Sequence, residues 1–217
     1  MFIGHFGLGL AAKKIDNRPS LGTLFLAAQF IDLIWPVFLL LGIEEVLIDP
    51  GNTEFTPLNF IYYPFSHSFL AVLIWSAGFG LVYFLIKKNY KAAVLLGLLV
   101  MRHWILDLIA HRPDLPLTFS NETKAGLSLW NSFWLTLMIE GFIFAAGAYF
   151  YFKSTKAKNK KGNILFWGLM IFLTAVYLLN AFGPPPPDVK SIGAAGLSLW
   201  IIVAWGYWAD RNRQAGI

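Results

Sequence analysis

Cysteine is missing from all 217 residues, which excludes disulfides, cysteine zinc fingers, iron–sulfur clusters and thiol nucleophiles. Any metal must therefore be held by His, Asp and Glu. Charge is scarce as well: Asp, Glu, Lys and Arg make up 13% of the chain, against 57% hydrophobic and 17% aromatic residues. With a mean hydropathy of +0.60, this is the composition of a polytopic membrane protein. The formal net charge of +5 does not argue for nucleic acid, because the Lys and Arg lie in short clusters between apolar runs, where they encode topology. The N-terminus, Met1-Phe2-Ile3-Gly4-His5, places apolar residues before Lys13-Lys14. That reverses the order of a secretory signal, and the segment is expected to be retained.

The apolar runs predict an all-α fold: one membrane domain over residues 1–217, with six transmembrane helices and a short N-terminal half-depth helix. Residues 1–14 are too short to span and are read as half-depth or interfacial. The spans are expected at 21–43, 64–86, 92–111, 127–152, 163–182 and 192–209, with Pro36 as a candidate kink in the first. Thirteen of the seventeen Lys and Arg fall in the N-terminal turn, the loops 87–91 and 153–161, and the C-terminal end. By the positive-inside rule both termini then face the cytoplasm, and the acidic loop after the first span faces out. The hexapeptide Ala-Gly-Leu-Ser-Leu-Trp occurs at 125–130 and again at 195–200. Small residues for helix packing and an interfacial Trp account for it without a duplication.

Against this apolar background, His103, Asp107 and His111 recur at i, i+4 and i+8, a spacing that puts three metal-competent side chains on one helical face. An ionisable group at bilayer depth costs about 2.5–3.5 kcal/mol on insertion scales, and a bound cation would offset that cost for several groups at once. Asp32, His103 and Glu140 each lie 12–14 residues beyond a basic anchor, which puts all three about 18–21 Å above the cytoplasmic side. His67 and His111 stand higher, and His5 approaches from below if its helix folds back upward. All four histidines, with the intraspan carboxylates Asp32, Asp107 and Glu140, are thus expected in one slab around a metal.

His5 near the start, Asp32 in a membrane segment, Phe65-Ser66-His67-Ser68 and His103-x-x-x-Asp107 resemble the ordered motifs of bacterial inner-membrane metal-dependent hydrolases. The motif order is also similar to that of soluble zinc-dependent phospholipase C. The resemblance covers residues 1–140 and leaves 141–217, the end of the fourth span and the last two spans, unassigned. Arg102 stands before His103 where that family often has Ser, and Asp32 is a single acid where many relatives carry Asp-x-Asp.

The resemblance implies a zinc-dependent, phospholipase-like hydrolase in the bacterial inner (plasma) membrane. It would hold one or two Zn²⁺ or another divalent metal through His5, Asp32, His67, His103, Asp107, His111 and Glu140. Its substrate would be a small-molecule or lipid phosphoester, cleaved by metal-activated water, with Asp32 and Glu140 as catalytic candidates. Ser66 and Ser68 are read either as substrate contacts or as the cap of the second span. Arg102 and Arg112 are read as phosphate contacts, Arg112 equally as an interfacial snorkelling residue. The alternative function is a metal-ion or proton transporter using the same cluster.

Overall fold

The structure is a computed structural model and describes residues 1–216. The chain is mostly helical, as its apolar periodicity predicts. It opens with α1 (Ile3–Ile15), followed by α2 (Leu21–Ala28) and α3 (Phe30–Leu40), which meet at a 56° bend. A hairpin of β1 (Glu45–Ile48) and β2 (Leu58–Tyr62) leads to the one-turn helix α4 (Pro64–His67), then α5 (Phe69–Lys87) and α6 (Tyr90–Ala110). Two short paired strands, β3 (Leu115–Pro116) and β4 (Lys124–Ala125), and a 3-10 turn at Leu129–Asn131 precede α7 (Phe133–Ser154). The chain continues through β5 (Thr155–Ala157), α8 (Lys160–Phe182), α9 (Val189–Leu197), α10 (Leu199–Arg211) and β6 (Arg213–Ala215), which pairs with β5. The first two hairpins sit at one end of the bundle, joined by Asn121 donating to the Ile61 carbonyl at 3.1 Å. The β5–β6 pair closes the other end.

Five stretches are long and apolar enough to cross a membrane: α5, α6, α7, α8 and the α9–α10 stretch. The bent α2–α3 pair makes a sixth if it crosses as one unit. Side chains fix many of the helix starts: Ser20, Ser68, Asn89, Asn159 and Asp188 each accept a backbone N–H from the first turn of α2, α5, α6, α8 and α9, satisfying donors that lipid could not.

Helix α1 has the half-depth length expected of it, but it is not interfacial. Ile3, His5, Phe6, Leu10 and Ala12 are buried, and the helix is sandwiched between α7, α2 and α6. Glycine permits the contact with α7: a Cβ on Gly147 would stand 2.1 Å from the Gly7 carbonyl oxygen, and one on Gly7 would stand 2.6 Å from the Ile143 oxygen. Backbones this close are the small-residue packing of membrane bundles.

Four further expectations change in detail. The first apolar run bends at Gln29 rather than at Pro36, which stays inside α3. The second run breaks after His67, where Ser68 is extended (φ −65°, ψ 148°) and caps α5. The fourth begins at Phe133, because residues 125–131 form strand and turn. The identical hexapeptides differ in conformation: at 125–130 Gly126 has φ +159° beside the Arg112 carbonyl, whereas at 195–200 the chain is helical. Tertiary contacts, not the local sequence, decide between them.

Candidate metal centre

Four separate elements each bring side chains to one buried point. Asp32 stands in the first turn of α3, just past the bend, His67 ends α4, His103 and Asp107 lie one turn apart on α6, and His5 projects from α1. His103 Nε2 is 3.1 Å from Asp107 Oδ2 and 3.5 Å from Asp32 Oδ1. His67 Nε2 is 3.5 Å from the same Asp32 oxygen and 3.9 Å from Asp107 Oδ2. A tetrahedral ion with ligand distances of about 2.0–2.2 Å has donor–donor edges of roughly 3.3–3.6 Å. The four measured edges bracket that value. Asp32, His67 and His103 form one group able to hold an ion, and His5, His103 and Asp107 form a second.

Hydrogen bonds behind the imidazoles orient them. His103 Nδ1 lies 2.8 Å from the Ala28 carbonyl oxygen, an acceptor only, so Nδ1 carries a proton and, in the neutral ring, Nε2 presents a lone pair to the cluster. Ala28 is the last residue before the 56° bend, where interrupted helix bonding leaves carbonyls free for a side chain. His103 Nε2 is buried and has no hydrogen-bond partner among the described residues. A buried nitrogen lone pair without a donor is costly, and a cation there would remove that cost.

His67 is held by a longer relay. Its Nδ1 is 2.7 Å from Ser66 Oγ, which donates to Glu44 Oε2 at 2.6 Å. The other Glu44 oxygen accepts from the Phe65 and Ser66 backbone N–H groups, both at 2.8 Å. Glu44 is buried at 1% exposure and escapes a reading by sequence. It follows a span in an acidic loop, 22 residues from the serine it meets, and only the β1–β2 hairpin returns the chain to it.

His5 stacks on His103, ring centroids 3.6 Å apart and planes within 6°, with its Nε2 3.1 Å from Asp107 Oδ1. The Met1 amine also donates to that oxygen, at 2.5 Å. Asp107 therefore uses one oxygen toward α1 and turns the other toward His67 and His103. Asp32 is the most accessible of the set, with 23% of its side chain exposed, so room for a further small ligand exists on its side.

The remaining sequence candidates lie elsewhere. His111 leaves the i, i+4, i+8 stripe because α6 ends at Ala110 and His111 has extended backbone (φ −65°, ψ 147°). It packs on Trp130 and Phe60, with Nδ1 2.9 Å from Asp114 Oδ1 and 3.2 Å from the Tyr63 hydroxyl. Glu140 is fully buried, but its Oε2 accepts the Phe2 and Gly4 N–H groups at 2.9 and 3.3 Å, the position of an anionic cap on α1. Its Oε1 has no partner among the described residues. Both residues stand outside the two metal-competent groups.

Ser66 belongs to the His67 relay and Ser68 caps α5. Arg112 donates to Asp114 Oδ2 and Asn59 Oδ1, tying the β1–β2 hairpin to the loop after α6. Arg102 is exposed on the stripe of Val94, Leu98 and Ile105, the face of α6 opposite to His103.

With neutral imidazoles, Asp32 and Asp107 bring two negative charges to a point surrounded by apolar helices, and the Met1 ammonium offsets one of them from the α1 side. A cation between Asp32 and the free Asp107 oxygen would neutralise the charge that remains and occupy the imidazole lone pairs together. No family model, no curated protein and no solved structure matches the chain.

Proposed function

We propose that the protein is a membrane-embedded, metal-dependent hydrolase acting on a phosphoester, with a lipid or lipid-linked head group as the natural substrate class. The observation that carries this reading is the convergence of Asp32, His67, His103 and Asp107 with edges of 3.1–3.9 Å around a point faced by an unsatisfied imidazole nitrogen. The order of these motifs along the chain, with its resemblance to inner-membrane hydrolases and zinc-dependent phospholipase C, supports the choice of chemistry. Two imidazoles and two carboxylates are a donor set that suits Zn²⁺. Such an ion supplies a Lewis acid for a phosphoryl oxygen and acidifies a water at neutral pH.

The chain's own residues then divide the work. Asp32, His67 and His103, one of the metal-competent groups, would hold the ion, with Asp107 Oδ2 completing the set from α6. Asp32, the most accessible member, orients a water on its open side. His5 donates to Asp107 Oδ1 and stacks on His103, fixing both in place. One ion fits better than two, because the two candidate groups share His103, whose only free lone pair is on Nε2.

Metal analysis of the purified chain is expected to give one equivalent of zinc, and a panel of phosphoester substrates is expected to find turnover that chelation abolishes. His103→Ala and Asp107→Asn should lose the metal while helix content, read by circular dichroism, is retained. Full metal occupancy in both variants would overturn the centre. Zinc-dependent flux of counter-ions into liposomes without any hydrolysis would replace the enzyme with a transporter.

A further inference from the structure

The two imidazoles with Nε2 on the candidate ion are fixed by different means. His103 leans on a backbone carbonyl, which only accepts, so its tautomer is settled by the fold. His67 leans on the hydroxyl of Ser66, which donates or accepts with equal ease. Something must set the direction of that bond. If the hydroxyl donated to His67 Nδ1, the ring proton would move to Nε2 and point into the cluster, blocking the lone pair a metal needs.

We propose that Glu44 is a positioning residue that polarises the Ser66–His67 hydrogen bond, holding His67 in the Nδ1–H tautomer so that its Nε2 lone pair faces Asp32, His103 and Asp107. Glu44 is surrounded by donors: the Phe65 and Ser66 N–H groups on Oε1 at 2.8 Å and the Ser66 hydroxyl on Oε2 at 2.6 Å. The last distance lies in the range of an O–H···O⁻ bond, so the single hydroxyl proton is spent on the carboxylate. The serine oxygen is left as an acceptor, and His67 Nδ1–H at 2.7 Å is the donor that fills it. Glu44, Ser66 and His67 are all buried, at 1%, 0% and 4% exposure, so water does not compete for these bonds. The same carboxylate closes the start of α4, so the element carrying His67 is anchored by the group that sets its tautomer. This role rests on the proposed metal centre for its purpose but not for its geometry.

The test is an isosteric reversal. In Glu44→Gln the amide oxygen keeps the two backbone donors, and the amide nitrogen lands on Ser66 Oγ and donates to it. The hydroxyl proton, having lost its carboxylate acceptor, then finds His67 Nδ1 as the acceptor already in place, and donation to it shifts the ring proton to Nε2. With four histidines in the chain, ¹⁵N-histidine spectra of the full-length, metal-stripped protein in micelles are assignable by single substitution. Wild-type His67 is expected as the Nδ1–H tautomer, Glu44→Gln as the Nε2–H tautomer, and Ser66→Ala as a mixture of both.

Zinc affinity should fall about 10–100-fold in Glu44→Gln, the usual effect of losing a partner behind a metal-bound imidazole. A wild-type ring protonated on Nε2, or a tautomer unmoved in both variants, overturns the relay. The tautomer is read without metal, so a wild type that takes up neither Zn²⁺ nor Co²⁺ overturns the metal centre separately, while the spectra still decide on Glu44. Should Glu44→Gln fail to fold, Ser66→Ala alone carries the test: loss of the single tautomer supports the relay, and its retention overturns it.

Discussion

Glu140 can act at its position as a metal ligand or as the cap of α1, and the two roles differ in what its removal does. As a cap, its loss leaves the buried Gly4 N–H and the partly buried Phe2 N–H without an acceptor, at about 1–3 kcal/mol. Glu140→Ala is therefore expected to lower the thermal midpoint by several degrees while the protein, kept well below that midpoint, still binds its ion. Glu140→Gln keeps the acceptor oxygen and should recover most of the midpoint. Loss of metal in Glu140→Gln with the midpoint unchanged would assign Glu140 to the centre instead. His5 is the mirror case. It supports Asp107 and His103 by a hydrogen bond and by stacking, so His5→Phe should keep the stack, lose the bond and weaken zinc binding about 10–100-fold without abolishing it.

At the scale of elements, the contact of α1 with α7 places His5, and glycine makes that contact possible. Gly147→Ala drives a Cβ to 2.1 Å from the Gly7 carbonyl oxygen, so the helices must separate, at roughly 1–3 kcal/mol or more. Gly141 lies on the same helix with nothing within 4 Å of an added Cβ. Gly141→Ala should be neutral or stabilising by about 0.5–1 kcal/mol. Measured side by side, Gly147→Ala is expected to lose thermal midpoint and metal affinity together, whereas Gly141→Ala loses neither. Equal behaviour of the two would mean that α1 is not held by this crossing. The same elements explain what a reader of the sequence can and cannot see. The long helices and the i, i+4 pair His103 and Asp107 are legible, because apolar length and helical period act locally. The exit of His111 is not, since it depends on α6 stopping one residue earlier. Nor is the relay partner Glu44, which reaches Ser66 only after a hairpin reverses the chain. The bend at Gln29 is also hidden: Pro36 is the conspicuous breaker, but α3 carries it within a helix while the chain turns seven residues earlier, next to the carbonyl that orients His103.

For the molecule as a whole, the centre sits where the bent α2–α3 pair, the α4–α5 junction and α6 meet, nearer to the end bearing the β1–β2 and β3–β4 hairpins than to the basic end. The side of the membrane that the hairpin end faces decides from which side the proposed head-group substrate would reach Asp32. The basic clusters gather at the opposite end, around Lys13, Arg18, Lys153 to Lys161 and Arg213, the end that the positive-inside rule predicts to be cytoplasmic. The natural absence of cysteine makes this directly measurable, since any introduced thiol is the only one in the chain. Ser120 and Lys158 are both exposed, one in the β3–β4 loop and one beside the β5–β6 pair. In spheroplasts a membrane-impermeant thiol reagent is expected to label Ser120→Cys at once and Lys158→Cys only after the membrane is opened. The reverse pattern would turn the protein over and move the centre toward the cytoplasmic leaflet, so that the proposed phosphoester would have to arrive from inside the cell. Labelling of both from outside would mean that an even number of crossings separates them, and the long helix α7, the only candidate span between them, would then not cross the membrane.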